Sequence, residues 1–283
     1  MSCIFHLNAC LSRAAVLATS PSFRQRIREN IHLGFQNFDV ARCNKELYNY
    51  LHCLVWIRSG LLISRKMADA KGGSLFQVED ACHIDRALEQ KNGVLLTTTH
   101  WGPSIYAGLW IGRYYPLSVL RLVHDRDLDC WSKRKVMALR QQLESKYMPV
   151  RFIDARKEKE ARLQVLAENH LLHQTADASG LLFGLGHVQS VHFLNHQVLF
   201  ARGPFSLSYR TGAPVVPFFM WLQDHRFRLK FLEPINVHEF SQAKETAIAR
   251  AMQEFAILFE QALRQSPGSW LLWPLFQKGL MVQ

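Results

Sequence analysis

From about residue 74 onward, short apolar runs alternate with longer amphipathic segments, and few architectures accept that pattern. The runs Leu75–Val78, Val94–Thr99, Leu117–Leu122, Val150–Ile153, Leu171–Ala176, Val191–Leu194 and Val215–Leu222 are too short for helices and read as strands. Between them, helices are expected at Ile84–Gln90, Pro103–Arg113, Leu128–Tyr147, Glu158–Asn169 and Pro204–Arg210, with a last one at Phe240–Arg264. Phe227–Leu232 suits an antiparallel partner for the strand before it. Alternation of this kind predicts an α/β fold with a mixed, largely parallel central sheet flanked by helices. Ahead of it lies a helical N-terminal segment. There Phe23, Ile27, Ile31 and Phe35 recur every four residues on one face, and Asp39 can cap a second helix running to about Ile63. One domain over residues 1–283 is expected, with 1–70 its helical part and 71–283 the α/β core.

Several function classes drop out. Six cysteines, none in a C-x-x-C pair, make neither a zinc framework nor a disulfide scaffold, and the thirteen histidines show no ligand spacing, so no metal is expected. The chain has no G-x-S-x-G elbow, no G-x-G-x-x-G opening a helix and no Walker loop. A net charge of +11 suits an anionic partner. With no nucleic-acid motif present, a lipid surface or an acidic carrier protein fits better than nucleic acid. No run approaches the roughly 18–20 apolar residues of a membrane span. Arg13 interrupts the nearest candidate, Met1–Ser20, so membrane contact is expected to be peripheral.

Sites in open α/β sheets gather at the carboxyl ends of strands. His100 and Asp177 both follow apolar runs directly. A histidine there can take a proton from an incoming hydroxyl, and a carboxylate normally holds its other ring nitrogen. The same position suits a hydrogen-bonded core histidine equally well. Arg121 and Arg202 follow or precede strand and helix ends, where they would hold a phosphate or join a surface ion pair. Trp101, Tyr106, Leu109 and Trp110 would line an apolar groove or fill the core.

The run Phe193 to Phe219, with Gly203-Pro204 and Thr211-Gly-Ala-Pro-Val-Val-Pro217, resembles the lysophospholipid acyltransferase superfamily, and within it the bacterial lipid A secondary acyltransferases. Gly93–Gly102 is similar to that family's strand leading to a catalytic histidine. Arg28-Glu-Asn30 to Phe35 and the aromatic Trp270–Trp273 are similar to its two ends. The resemblance implies transfer of a fatty acyl group from an acyl carrier protein or coenzyme A thioester to a hydroxyl or amine of a lipid or glycolipid acceptor. It further implies no cofactor beyond that co-substrate, and a peripheral place on the cytoplasmic face of the bacterial inner membrane. His100 is then the general base, with Arg121, Arg202, Gly203, Trp101 and Ser104 binding substrate. One position departs from the pattern. The family carries Asp or Glu five residues after its histidine, where this chain has Ile105. Three readings follow: Asp177 substitutes for the missing acid, Ser104 holds the ring, or the chain is an inactive lipid- or acyl-binding relative.

Overall fold

A computed structural model describes residues 19–69, 75–121, 150–154, 158–177, 188–223, 226–241 and 243–282. Two helices open it. In α1 (Pro21–Gly34), the Ser20 hydroxyl accepts from the Phe23 amide at 3.3 Å and proline occupies the first turn, a usual N-terminal cap. Asp39 accepts from the Arg42 amide at 2.7 Å and starts α2 (Val40–Asp69), which runs past the expected end at Ile63. Ile27 and Ile31 of α1 are fully buried, as their spacing requires.

The α/β part follows as β1 (Phe76–Glu79), α3 (Cys82–Leu88), β2 (Val94–Thr98), α4 (Ala107–Tyr114), β3 (Leu117–Arg121), β4 (Arg151–Asp154), α5 (Lys159–Ala167) and β5 (Leu171–Thr175). A hairpin of β6 (Val188–Phe193) and β7 (His196–Ala201) comes next, then α6 (Gly203–Thr211), β8 (Val215–Gln223), β9 (Arg226–Phe231), α7 (Val237–Phe240) and α8 (Lys244–Gln265). Seven strands form the central sheet in the order β1-β9-β8-β2-β5-β3-β4. Only the β8–β9 pair is antiparallel, as expected for the Phe227 strand; the other five pairings are parallel. The expected mixed, largely parallel α/β architecture is the one observed. β2 sits at its centre, buried at every residue, which is why its sequence reads as a continuous apolar run. Leu95, Leu172 and Val215 lie on the face covered by α6, α8 and the N-terminal helices. Val94, Leu96, Leu171 and Val216 lie on the face covered by α3 and α4.

Two elements differ from expectation. The segment from Gly102 to Tyr106 is a 3₁₀ helix that becomes α-helical only at Ala107. Both the amide and the hydroxyl of Ser104 bond to the Trp101 carbonyl, at 3.1 and 2.6 Å, which tightens the turn. The strand expected at Val191–Leu194 is one arm of a hairpin outside the main sheet. Leu194 and Asn195 have φ of 50° and 62° and make the two-residue turn. That hairpin rests on α8, whose Glu260 accepts from the Leu194 amide at 2.8 Å. The expected charged helix at Leu128–Tyr147 lies outside the described residues, as do Cys3, Cys10 and Cys130. Of the cysteines described, Cys43 is buried but Cys82 is exposed. No helix among the described residues is long and apolar enough to cross a membrane.

After α8 the chain turns back under α2. Gly268 lies so close that an added Cβ would fall 2.5 Å from Cβ of Asn49 and 2.6 Å from the Glu46 carbonyl oxygen. Its amide donates to the buried Glu46 carboxylate at 3.1 Å. Gly268→Ala should therefore force these segments apart, at a cost of about 2 kcal/mol and a drop in Tm of several degrees measured by thermal unfolding.

Candidate active site

The register of β2 against β5 decides what meets at their carboxyl ends. Val94 pairs with Leu171 and Thr98 with Thr175, a constant offset of 77 residues. Beyond the last pair the Ala176 amide still donates to the Thr98 carbonyl, at 2.8 Å. Two residues further along each strand, the same offset sets His100 beside Asp177.

The two are joined twice. The Asp177 carboxylate accepts the His100 backbone amide on Oδ2 at 2.8 Å, and its Oδ1 lies 2.7 Å from Nδ1 of the His100 ring. A third donor is the indole N–H of Trp270, 2.9 Å from Oδ2. Asp177 is fully buried, whereas the His100 side chain remains 31% exposed. Burial alone would depress the pKa of His100. The charge of Asp177 and its hydrogen bond outweigh that, and the imidazole is held above its ordinary value. With Nδ1–H bound to carboxylate, the tautomer leaves Nε2 free to accept a proton.

Backbone contacts hold the loop. Leu271 donates to the His100 carbonyl at 2.8 Å, and Trp101 forms an antiparallel bridge with Trp270. Trp101 itself is core: its indole N–H donates to the Met220 carbonyl at 2.6 Å and its ring packs on Phe219, Trp221 and Phe259. Tyr106 and Leu109 are buried too, the former bonded through its hydroxyl to the Trp56 carbonyl, while Trp110 packs among Tyr114, Tyr115 and Phe231.

The remaining sequence candidates are spread along the same edge. Ser104 spends its hydroxyl on the Trp101 carbonyl. Ile105 lies in the 3₁₀ turn. Arg121 closes β3, in register with Asp154. Arg202 precedes α6 and pairs with Glu245 at 2.8 Å, its Nε buried without a hydrogen-bond partner. Gly203 starts α6 next to Gln174, whose side-chain oxygen is 3.5 Å from where a Cβ would stand. The basic residues Lys133, Arg134, Lys135 and Arg140, whose charge suits docking to an acidic carrier protein or lipid headgroups, lie outside the described residues.

Two residues near the pair are not marked as site residues by the sequence. Trp270 is one, seen only as part of an aromatic stretch. The other is His173, paired with Leu96 in the register and 5.3 Å ring to ring from Phe218. Its pKa is lowered to about 4, first by desolvation and then by the charge of His100. It is therefore a neutral imidazole at ordinary pH. The β2–β5 register would have pointed to it. No group of three or more metal-binding side chains occurs among the described residues.

A family model described as bacterial lipid A biosynthesis acyltransferase matches residues 8–278, nearly the whole chain. The chain belongs to that family. It is thus a member of an acyltransferase family of lipid biosynthesis, whose substrates are an acyl donor and a lipid acceptor. No match is found among the curated proteins. In this member of the family, Asp177 stands against a histidine whose own turn carries Ile105 where the resemblance leads one to expect an acid.

The opposing influences on His100 can be separated. In Asp177→Asn the raising influences vanish and desolvation remains, so the imidazole should titrate below 6.5 instead of above it, as read by NMR of ring-labelled histidine.

Proposed function

We propose that the chain transfers a fatty acyl group from an acyl carrier protein or coenzyme A thioester to a hydroxyl or amine of a lipid or glycolipid acceptor. His100 is the general base and Asp177 its partner. One observation carries this reading: a part-exposed imidazole is bound through Nδ1 to a fully buried carboxylate at the carboxyl edge of a parallel sheet. His100 Nε2 takes the acceptor's proton as the acceptor oxygen or nitrogen attacks the thioester carbonyl. Asp177 stabilises the imidazolium that forms. Collapse of the tetrahedral intermediate expels the thiolate, which takes the proton back from His100.

The oxyanion needs donors. The Trp101 amide is engaged by the Thr99 carbonyl at 2.6 Å, so the Gly102 amide is assigned this role. Arg121 and Arg202 are assigned to phosphate groups of donor or acceptor. No cofactor is required. With a charge of +11 and no membrane-crossing helix among the described residues, the proposed location is peripheral, on the cytoplasmic face of the bacterial inner membrane.

Purified protein given a labelled acyl thioester and lysolipid or glycolipid acceptors should form acylated product, and His100→Ala should lower turnover by three orders of magnitude or so. Product formed at the wild-type rate by His100→Ala would remove His100 from the mechanism. Free fatty acid released equally fast without acceptor would mark a hydrolase, and acyl binding without turnover an inactive relative.

The base works only when neutral. Because its pKa is raised, kcat/KM should climb with pH through a value above 6.5 and level off beyond it. In Asp177→Asn the climb should move to lower pH, on a plateau reduced by about a hundredfold, a smaller loss than that of His100→Ala.

A further inference from the structure

Among the described residues, three fully buried tryptophans lie close to the site, and their indole N–H groups are used differently. Trp101 donates to the Met220 carbonyl and Trp273 to the Pro267 carbonyl, both at 2.6 Å. These are the ordinary solutions for a buried indole, which needs an acceptor but gains nothing from a particular one. Trp270 donates instead to the Asp177 carboxylate. Its neighbour Leu271 holds the His100 carbonyl, and its own backbone bridges Trp101. One short stretch of chain therefore grips both members of the pair.

Geometry gives the grip a purpose. An acid on the histidine's own turn would be aligned by local backbone, but Asp177 arrives from another strand, just past its end. One hydrogen bond to Oδ2 leaves a carboxylate free to swing about its last torsion. Two donors on Oδ2, the His100 amide and the Trp270 indole, fix the plane of the group and turn Oδ1 towards Nδ1. Each is a hydrogen bond to a charged acceptor in a water-free setting, where such bonds are strongest. The indole is anchored in turn by Phe193, Phe259, Trp273 and Phe276, with ring centroids 5.0–5.7 Å away.

We propose that Trp270 is the positioning residue of the His100–Asp177 pair, aligning the carboxylate that supplies what Ile105 cannot. It touches no substrate and acts through Asp177. As a statement about catalysis this rests on the acyl-transfer reading above.

Trp270→Phe keeps an aromatic ring but removes the donor. Because the smaller ring can also loosen the core, a second variant carries benzothienylalanine at position 270, an isostere with sulfur in place of the N–H. Thermal unfolding confirms that each variant is folded. In both, the Nδ1–H proton resonance of His100 should move upfield. Its pKa should fall towards the ordinary value by half a unit or more, since a swinging carboxylate binds the imidazolium less well. Turnover of the acyl thioester should drop about tenfold in kcat with KM unchanged. An unchanged His100 titration and wild-type kcat in the isosteric variant would overturn the assignment. So would a rise in the His100 pKa, which would mean that the indole only spreads the charge of Asp177. If His100 shifts as stated while no form of the protein transfers acyl groups, the transferase reading falls and the positioning role stands.

Discussion

The parallel pairing of β2 with β5 is the constraint on which the rest of the site depends. In a parallel ladder the offset between partners is constant, so fixing one pair fixes all of them. Leu95 opposite Leu172 and Leu96 opposite His173 leave no choice about which residues leave the two strands together. A slip by one residue would turn Leu95 from one core cluster into the other and expose both faces to mismatched partners. The same packing that protects the hydrophobic layers thus places a carboxylate within 2.7 Å of an imidazole 77 residues away.

Around that ladder, the N-terminal helices and the C-terminal stretch serve as a brace. Glu46 on α2, 2% exposed, accepts from the Gly268 amide; Asn30 on α1 donates to the Trp273 carbonyl at 2.6 Å; the Tyr50 hydroxyl donates to the Leu271 carbonyl at 3.2 Å. These polar groups are buried or nearly so, and such groups are kept only where they are bonded. The helical part is therefore no appendage. It fixes residues 268–273, which in turn fix the His100 carbonyl and the Asp177 carboxylate.

Much of this was legible in the residues. Continuous apolar runs marked the buried strands, and alternation with helices marked the parallel sheet, because both patterns follow directly from two-sided burial. Chain position after a strand was enough to nominate His100 and Asp177. What stayed hidden depends on tertiary contact. The β6–β7 hairpin looks like one strand because its turn, Leu194-Asn195, lacks the glycine that usually announces such a turn. The 3₁₀ turn arises from the double use of the Trp101 carbonyl by Ser104, which no periodicity reports. Trp270 sits 93 residues from the carboxylate it touches, and its indole partner depends on a bridge to Trp101 that sequence spacing does not encode.

A carboxylate borrowed from another strand changes what the site depends on. An acid five residues after the histidine would form its contact within one turn of chain, and it would survive local loosening of the sheet. Here the contact exists only while the ends of β2 and β5 are zipped and the C-terminal stretch is docked. Loss of either leaves a desolvated imidazole without its counter-charge, and burial then pulls its pKa down. His173 shows the outcome within the same sheet. It is a half-buried ring, its Nε2 enclosed, with no carboxylate among its influences, and it is driven to about 4 by desolvation and by the charge of His100. His173 stands opposite Leu96, four residues before His100 along β2, and Asp177 stands beside His100 alone, which holds one imidazole above its ordinary pKa while the other falls below it.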